Sequence, residues 1–392
     1  MSEATLSTEE RHTGALVLTE LVPEELASRV GIDISDARRL LSQIYRHGDL
    51  PAVCPATIRR AALDRVRSEG SVPTFETIDR AASEVDPFVK YAFRVEGGGV
   101  IETVRIPLEH AGRFSVCVSS QVGCALACTF CATGKLGLSR NLMTWEIVEQ
   151  VRKVRAELPA GARVHGVVFQ GMGEPLSNVD RVIRAVRVLS DPACLAIDRR
   201  NITVCTSGLP AGIRRLGKEI PGVRLGLSIA DARPNRRRSL MPIDEASPLE
   251  TVLEAAGEFT ERSGYAPMFA YTLIRGINDG ADAAHALADT AIAFASRYGA
   301  RPRISLVPMN PIEGSDFQRP DAETITAFRD VLGGRGLGAV LRYSGGGDVN
   351  AACGQLARSG DARTSRGRAR TASSPASSPS TSALVDPRER AG

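Results

Sequence analysis

Three cysteines, Cys124, Cys128 and Cys131, fall within the stretch GCALACTFCATGK. Thiolates are soft ligands that suit zinc or iron–sulfur clusters. A structural zinc ion takes four protein ligands, and no fourth candidate lies nearby in the sequence. A four-iron cluster held by three cysteines leaves one iron open to another molecule, which is a physical reason for the set to stop at three. Zinc with a distant fourth ligand and unliganded buried thiols are the competing readings. Phe130, between the last two cysteines, is placed to exclude water from whatever they hold.

Other short runs carry chemistry. GMGEP, Gly171–Pro175, combines glycines that let backbone approach a ligand closely with a carboxylate, Glu174, that can accept from an ammonium group. TSG (Thr206–Gly208), SIA (Ser228–Ala230) and PMNP (Pro308–Pro311) are polar turns that separately mean little. Cys117, in FSVCVSSQVGC, and Cys353, in NAACGQLA, are either core thiols or functional ones. Cys54, Cys194 and Cys205 read as core.

The elements that must position these groups follow from periodicity. RFSVCVS, VHGVVFQ, NITVCT, VRLGLSI, MFAYTLI, PRISLVP and AVLRYS read as strands. Helix-like runs lie between them near Thr144–Leu158, Val179–Leu189, Leu249–Ser263, Ala283–Tyr298 and Ala322–Leu332. Such alternation predicts an α/β fold with a parallel sheet and right-handed crossovers, and six or seven units predict a barrel or partial barrel. Each motif then sits at a C-terminal strand end, where such folds keep their chemistry. Residues 1–90 look helical, and VKYAFRVEGGGVIETVRIP reads as a hairpin turning at its glycines. The expected division is a small N-terminal domain over 1–95, a core over 96–357 and a tail over 358–392.

The chain has 392 residues and a formal net charge of +4. Seven Arg against three acidic residues in 358–392 account for all of that charge, so the rest is formally neutral. This Ser-, Arg- and Pro-rich tail cannot bury an apolar face and is expected to be disordered and basic. It is either a solvated appendage or a non-specific grip on nucleic acid phosphates. No apolar run is long enough for a membrane span, and the polar, acidic N-terminus lacks the order of a secretion signal. A cytoplasmic location with reduced cysteines is the expectation.

The blocks CVSSQVGCALACTFCATGKLGLSRNLMTWEI, GMGEPL and AACGQL, over roughly 20–357, resemble the RlmN/Cfr family of radical S-adenosylmethionine (radical SAM) RNA methyltransferases. The resemblance implies a radical SAM partial (β/α)6 barrel, one 4Fe-4S cluster on Cys124, Cys128 and Cys131, and SAM on the open iron. GMGEPL favours the RlmN branch, which acts at C2 of adenosine in large-subunit ribosomal RNA and in tRNA. The Cfr branch acts at C8. Two SAM molecules would be used per turnover. The first methylates the Cys353 thiolate, and the second yields a radical that activates that methyl group for attack on the adenine carbon. Glu102, in ETVRIP, would accept the ring proton, and Cys117 would release the product through a transient Cys117–Cys353 disulfide. Gly173, Glu174, Ser207, Ser228, Ile229, Ala230 and Asn310 would contact SAM, and the N-terminal domain would recognise RNA. An external electron donor such as flavodoxin or ferredoxin, and a monomer, are also implied.

The sequence departs from this pattern in places. Ala230 stands where the family usually has histidine, and Gly345–Asn350, GGGDVN, replaces an Arg-Gly-Asp-Asp-Ile-Asp run. Arg236, Arg237 and Arg238 form a basic run that is either a phosphate contact or a solvated face. Two other functions compete: the same radical chemistry on a small molecule, and a non-enzymatic zinc module that binds RNA.

Overall fold

The computed structural model describes residues 14–357; the tail expected over 358–392 lies outside the described residues. Strand β1 (Leu16–Val17) pairs in parallel with β2 (Gly70–Ser71), and helices α1 (Pro23–Val30), α2 (Ile34–His47) and α3 (Arg60–Glu69) lie between them. The Asp33 carboxylate accepts from the Ser35 amide at 2.7 Å and starts α2, and left-handed Gly48 ends it. Leu40, Leu41 and Ile44 on its inner face are fully buried. These three helices are those expected from the spacing.

Residues 76–82 contradict the helical expectation for 1–90. They form β3 (Glu76–Ala82), antiparallel to β4 (Val89–Arg94), which pairs in turn with β5 (Val100–Pro107). ETIDRAA shows no apolar alternation because it is a solvated edge strand, held by its ladder bonds rather than by burial. The hairpin expected at β4 and β5 is present, turning at Gly97–Gly99. It continues through β6 (Arg113–Val118) into the main sheet.

After β6 comes an unexpected hairpin of β7 (Gln121–Cys124) and β8 (Gly137–Asn141), which brackets the cysteine loop. Then follow α4 (Thr144–Ala156), β9 (Arg163–Phe169), α5 (Val179–Ser190), β10 (Ile202–Thr206), α6 (Pro210–Glu219), β11 (Arg224–Ser228), the short α7 (Arg237–Leu240), α8 (Leu249–Ser263), β12 (Met268–Leu273), α9 (Ala281–Tyr298), β13 (Arg303–Pro308), α10 (Ala322–Gly334) and β14 (Ala339–Leu341). Helix α6 was not expected: PAGIRRLGKE carries two glycines and only two large apolar residues, Ile213 and Leu216. Gly212 and Gly217 let it pack closely on Leu176 and Phe259.

The ten-stranded sheet has the order β14-β13-β12-β11-β10-β9-β6-β5-β4-β3. Within this sheet all pairings from β6 to β14 are parallel, with a single crossover helix between neighbours except β11 and β12, which α7 and α8 both connect, as the α/β expectation requires. The Val, Ile and Leu residues of the inner strands β10–β13 are buried on both faces, whereas Val340 and Leu341 of the edge strand β14 are exposed. The sheet edges are β3 and β14.

After β14 the chain runs as a strap back to the antiparallel side. Tyr343 Oη and the Gly346 amide both donate to Asp86 Oδ2, at 2.9 and 2.8 Å. Ser83 Oγ and the Glu84 amide donate to the Asp348 carboxylate at 2.8 and 2.9 Å. Lys90 Nζ donates to the Asn350 carbonyl at 3.3 Å. This is where the chain lacks the charged run of its resembling family. A Cβ at Gly345 would lie 2.3 Å from the Phe88 ring, so an arginine has no room there. Gly345→Ala is expected to lower stability by about 1–3 kcal/mol in urea unfolding, the usual cost of overpacking; an unchanged midpoint would show that the strap is not seated on Phe88.

Candidate active site

The motifs meet at the C-terminal ends of the parallel strands. The first of them holds the second. Ser119 Oγ donates to the Glu102 carbonyl at 2.6 Å and accepts from the Met172 amide at 2.9 Å. The Ser120 amide donates to the Met172 carbonyl at 2.8 Å, and the Glu174 amide to Gln121 Oε1 at 2.7 Å. Gly173 has φ +97°, and a Cβ there would lie 2.5 Å from the Gln121 side chain, so only glycine fits. SSQ and GMGEP thus form one hydrogen-bonded unit.

Glu174 is 3% exposed. Its Oε1 accepts from the Leu176 amide at 2.9 Å and its Oε2 from the Ser207 amide at 2.8 Å. Burial raises its pKa, and those amide bonds lower it only in part. A desolvated carboxylate that still favours a positive partner is the acceptor an ammonium group needs.

Cys128 and Cys131 face the same cavity as Gly173, Glu174, Ser207, Ser228, Asn310 and Cys353. Cys124, at the end of β7, stands close enough to Cys128 and Cys131 for their charges to couple. Burial pushes the Cys124 thiol up to about 11 and the Cys128 thiol up to about 12. Such thiols ionise only when a metal charge replaces the lost water. Phe130 packs beside them.

The strap carries Cys353 to this mouth and is knitted down around it. The Ala132 amide donates to the Gly354 carbonyl at 2.8 Å, and Thr133 Oγ1 to the Leu356 carbonyl at 2.5 Å. Asn310 Nδ2 donates to the Cys353 carbonyl at 3.0 Å, and Gln355 Nε2 to the Pro311 carbonyl at 2.8 Å. Cys117, on β6, is buried; its burial, then the neighbouring Cys353, raises its pKa. Glu102 lies on β5 two residues before Val104, the cross-strand partner of Cys117, so both side chains leave one face of the sheet. Its Oε1 pairs with Lys90 at 2.9 Å and its Oε2 accepts from the Ala357 amide at 2.8 Å.

Ile229 and Ala230 sit behind the rim rather than on it. Ala230 is left-handed (φ +56°) and 1% exposed, with its carbonyl held by Asn278 Nδ2 at 2.6 Å. The basic run does not behave as a unit: Arg236 and Arg238 are exposed, whereas Arg237 is buried. Sequence reasoning missed Gln170 and Arg342, joined at 2.8 Å beside Cys205.

The radical SAM superfamily model matches residues 118–287. A probable RNA methyltransferase of Sorangium cellulosum (strain So ce56) is 58% identical over 369 residues, covering 89% of this chain and 94% of that one. A probable dual-specificity RNA methyltransferase RlmN of Symbiobacterium thermophilum is 38% identical, covering 82% and 84%. This chain belongs to the RlmN/Cfr family of radical SAM methyltransferases. A solved radical SAM methyltransferase from Sphaerobacter thermophilus superposes on this RlmN/Cfr-family chain with TM-score 0.77 at 33% identity, covering 87% of this chain and 99% of that one. The family implies a 4Fe-4S cluster and SAM, and the thiol set and Glu174 fit both. Among the described residues no helix is long and apolar enough to cross a membrane.

Glu174→Gln is expected to raise the Kd for SAM about tenfold or more, with iron content unchanged. Because burial raises the Glu174 pKa, SAM affinity of the unchanged protein should fall on acidification at a higher pH than an ordinary glutamate would dictate. The Gln variant should lose that dependence; parallel pH profiles for the two proteins would contradict the assignment.

Proposed function

We propose that the protein methylates C2 of an adenosine in large-subunit ribosomal RNA, tRNA or both, through a methyl group carried on Cys353 and released by Cys117. The observation that carries the reading is the seating of Cys353 at the cysteine-lined mouth with buried Cys117 beside it. An sp2 ring carbon is not nucleophilic, so direct transfer from SAM would fail; a thiolate is nucleophilic, so Cys353 can accept the methyl group first. The cluster with SAM, when bound, supplies the one-electron chemistry that activates that methyl group.

The chain's own residues do the rest. Cys124, Cys128 and Cys131 hold the cluster, and Glu174, with Gly173, Ser207, Ser228 and Asn310, orients SAM. Ile229 and Ala230 shape the rim from behind. Glu102 takes the ring proton, and Lys90 and the Ala357 amide fix its two oxygens. Cys117 attacks the Cys353 sulfur, and the resulting disulfide frees the RNA. Two SAM molecules are used per turnover, and electrons come from an external donor such as flavodoxin or ferredoxin. Helices α1–α3 form the RNA-recognition module.

The curated relatives are named as RNA methyltransferases, which favours RNA over a small molecule. The test is oxygen-free purification, reconstitution with iron and sulfide, and incubation with methyl-labelled SAM and either RNA. Nucleoside mass spectrometry should find labelled 2-methyladenosine, and Cys353→Ser should abolish it. Labelled 8-methyladenosine would move the target carbon to the Cfr position. An iron-loaded protein that labels no RNA would overturn the proposal.

A further inference from the structure

We propose that Arg237 is a positioning residue that sets the SAM-facing rim, and not a phosphate contact. The inference rests on the reading that SAM lies against Ser207 and Ser228. Arg237 begins α7 and its side chain is 2% exposed. Its Nη2 donates to the Ser207 and Ser228 carbonyls, the latter at 3.2 Å, and its Nε donates to the Ile229 carbonyl at 3.2 Å. Its Nη1 pairs with Asp244 Oδ1 at 2.7 Å. One guanidinium therefore satisfies three backbone carbonyls at the ends of two neighbouring strands, β10 and β11.

The same fork reaches the rest of the site. Ser207 is pinned on both sides: its amide donates to Glu174 Oε2 at 2.8 Å and its carbonyl accepts from Arg237. Ser207 Oγ is also 4.0 Å from Cys128 Sγ. At the other end of α7 the Leu240 carbonyl accepts from the Thr129 amide at 3.0 Å and from Thr129 Oγ1 at 3.3 Å, inside the cysteine loop. Arg237 thus couples the two strand ends, the buried carboxylate and the cysteine loop through one short helix. A lysine cannot reproduce this, because one ammonium point cannot span two strands as the planar fork does. Arg236 and Arg238 share none of these bonds and serve as controls.

The test uses the full chain with its cluster reconstituted, and SAM as the probe. Arg237→Lys should raise the Kd for SAM about tenfold with iron content unchanged, and Arg238→Ala should leave it unchanged. In cluster-free protein, Arg237→Lys should also speed hydrogen exchange at the amides of 207–208 and 228–230, with little change elsewhere. Asp244→Asn keeps the three carbonyl bonds, so it should lower the melting temperature while SAM affinity stays within about threefold. A folded Arg237→Lys protein with wild-type SAM affinity and exchange overturns the inference. If that variant does not fold, Asp244→Asn decides: a tenfold loss of SAM affinity in a folded protein would assign the rim to the ion pair and sink the carbonyl role. Wild-type protein that binds no SAM would instead overturn the reading of the mouth.

Discussion

The site depends on the return of the chain, after its last strand, across the open side of the sheet and onto the cysteine loop. The bonds from Ala132 to Gly354, Thr133 to Leu356, Asn310 to Cys353 and Gln355 to Pro311 fix Cys353 at the mouth. The strap explains much else. The antiparallel strands β3–β5 extend the sheet to a place where Ser83, Glu84, Asp86 and Lys90 can receive it. Glu102 is anchored to its far end through the Ala357 amide. Strap, hairpin and cysteine loop are distant in sequence, so their mutual fit is a property of the closed fold and not of any one segment.

A second constraint is the handling of buried charge. Glu174 is stripped of water, and its bonds to the Leu176 and Ser207 amides and to the Thr206 and Ser207 side chains offset that burial only in part, which leaves it favouring a cation. Arg237 is stripped of water but fully engaged with three carbonyls and Asp244. The first arrangement suits a group that binds a ligand, and the second suits one that holds a scaffold. The cysteine thiols resemble Glu174: burial disfavours their ionised form until a metal restores the lost stabilisation.

Much of this was legible in the sequence. The inner parallel strands show as Val- and Ile-rich runs because both faces are buried, and β6, β9, β10, β11 and β13 end at motifs because the chemistry lies at that end. Strand β3 was hidden because an edge strand needs no apolar alternation, and α6 because its glycines dilute the helical pattern. Ala230 looked like a lost contact at the rim, whereas its side chain is buried behind the rim in a left-handed turn, a placement no sequence pattern announces. Arg237 was obscured by its two arginine neighbours. A signal existed: it lies three residues before buried Leu240, on the same helical face.

The most direct test of the account is a Cys117→Ala protein incubated without oxygen with SAM, a reductant and the RNA substrate. Without the thiol that attacks the Cys353 sulfur, the account predicts a covalent protein–RNA adduct. After nuclease digestion, peptide mass spectrometry should place an adenosine-derived mass on Cys353. Free methylated RNA formed at the wild-type rate, with no adduct on Cys353, would contradict it.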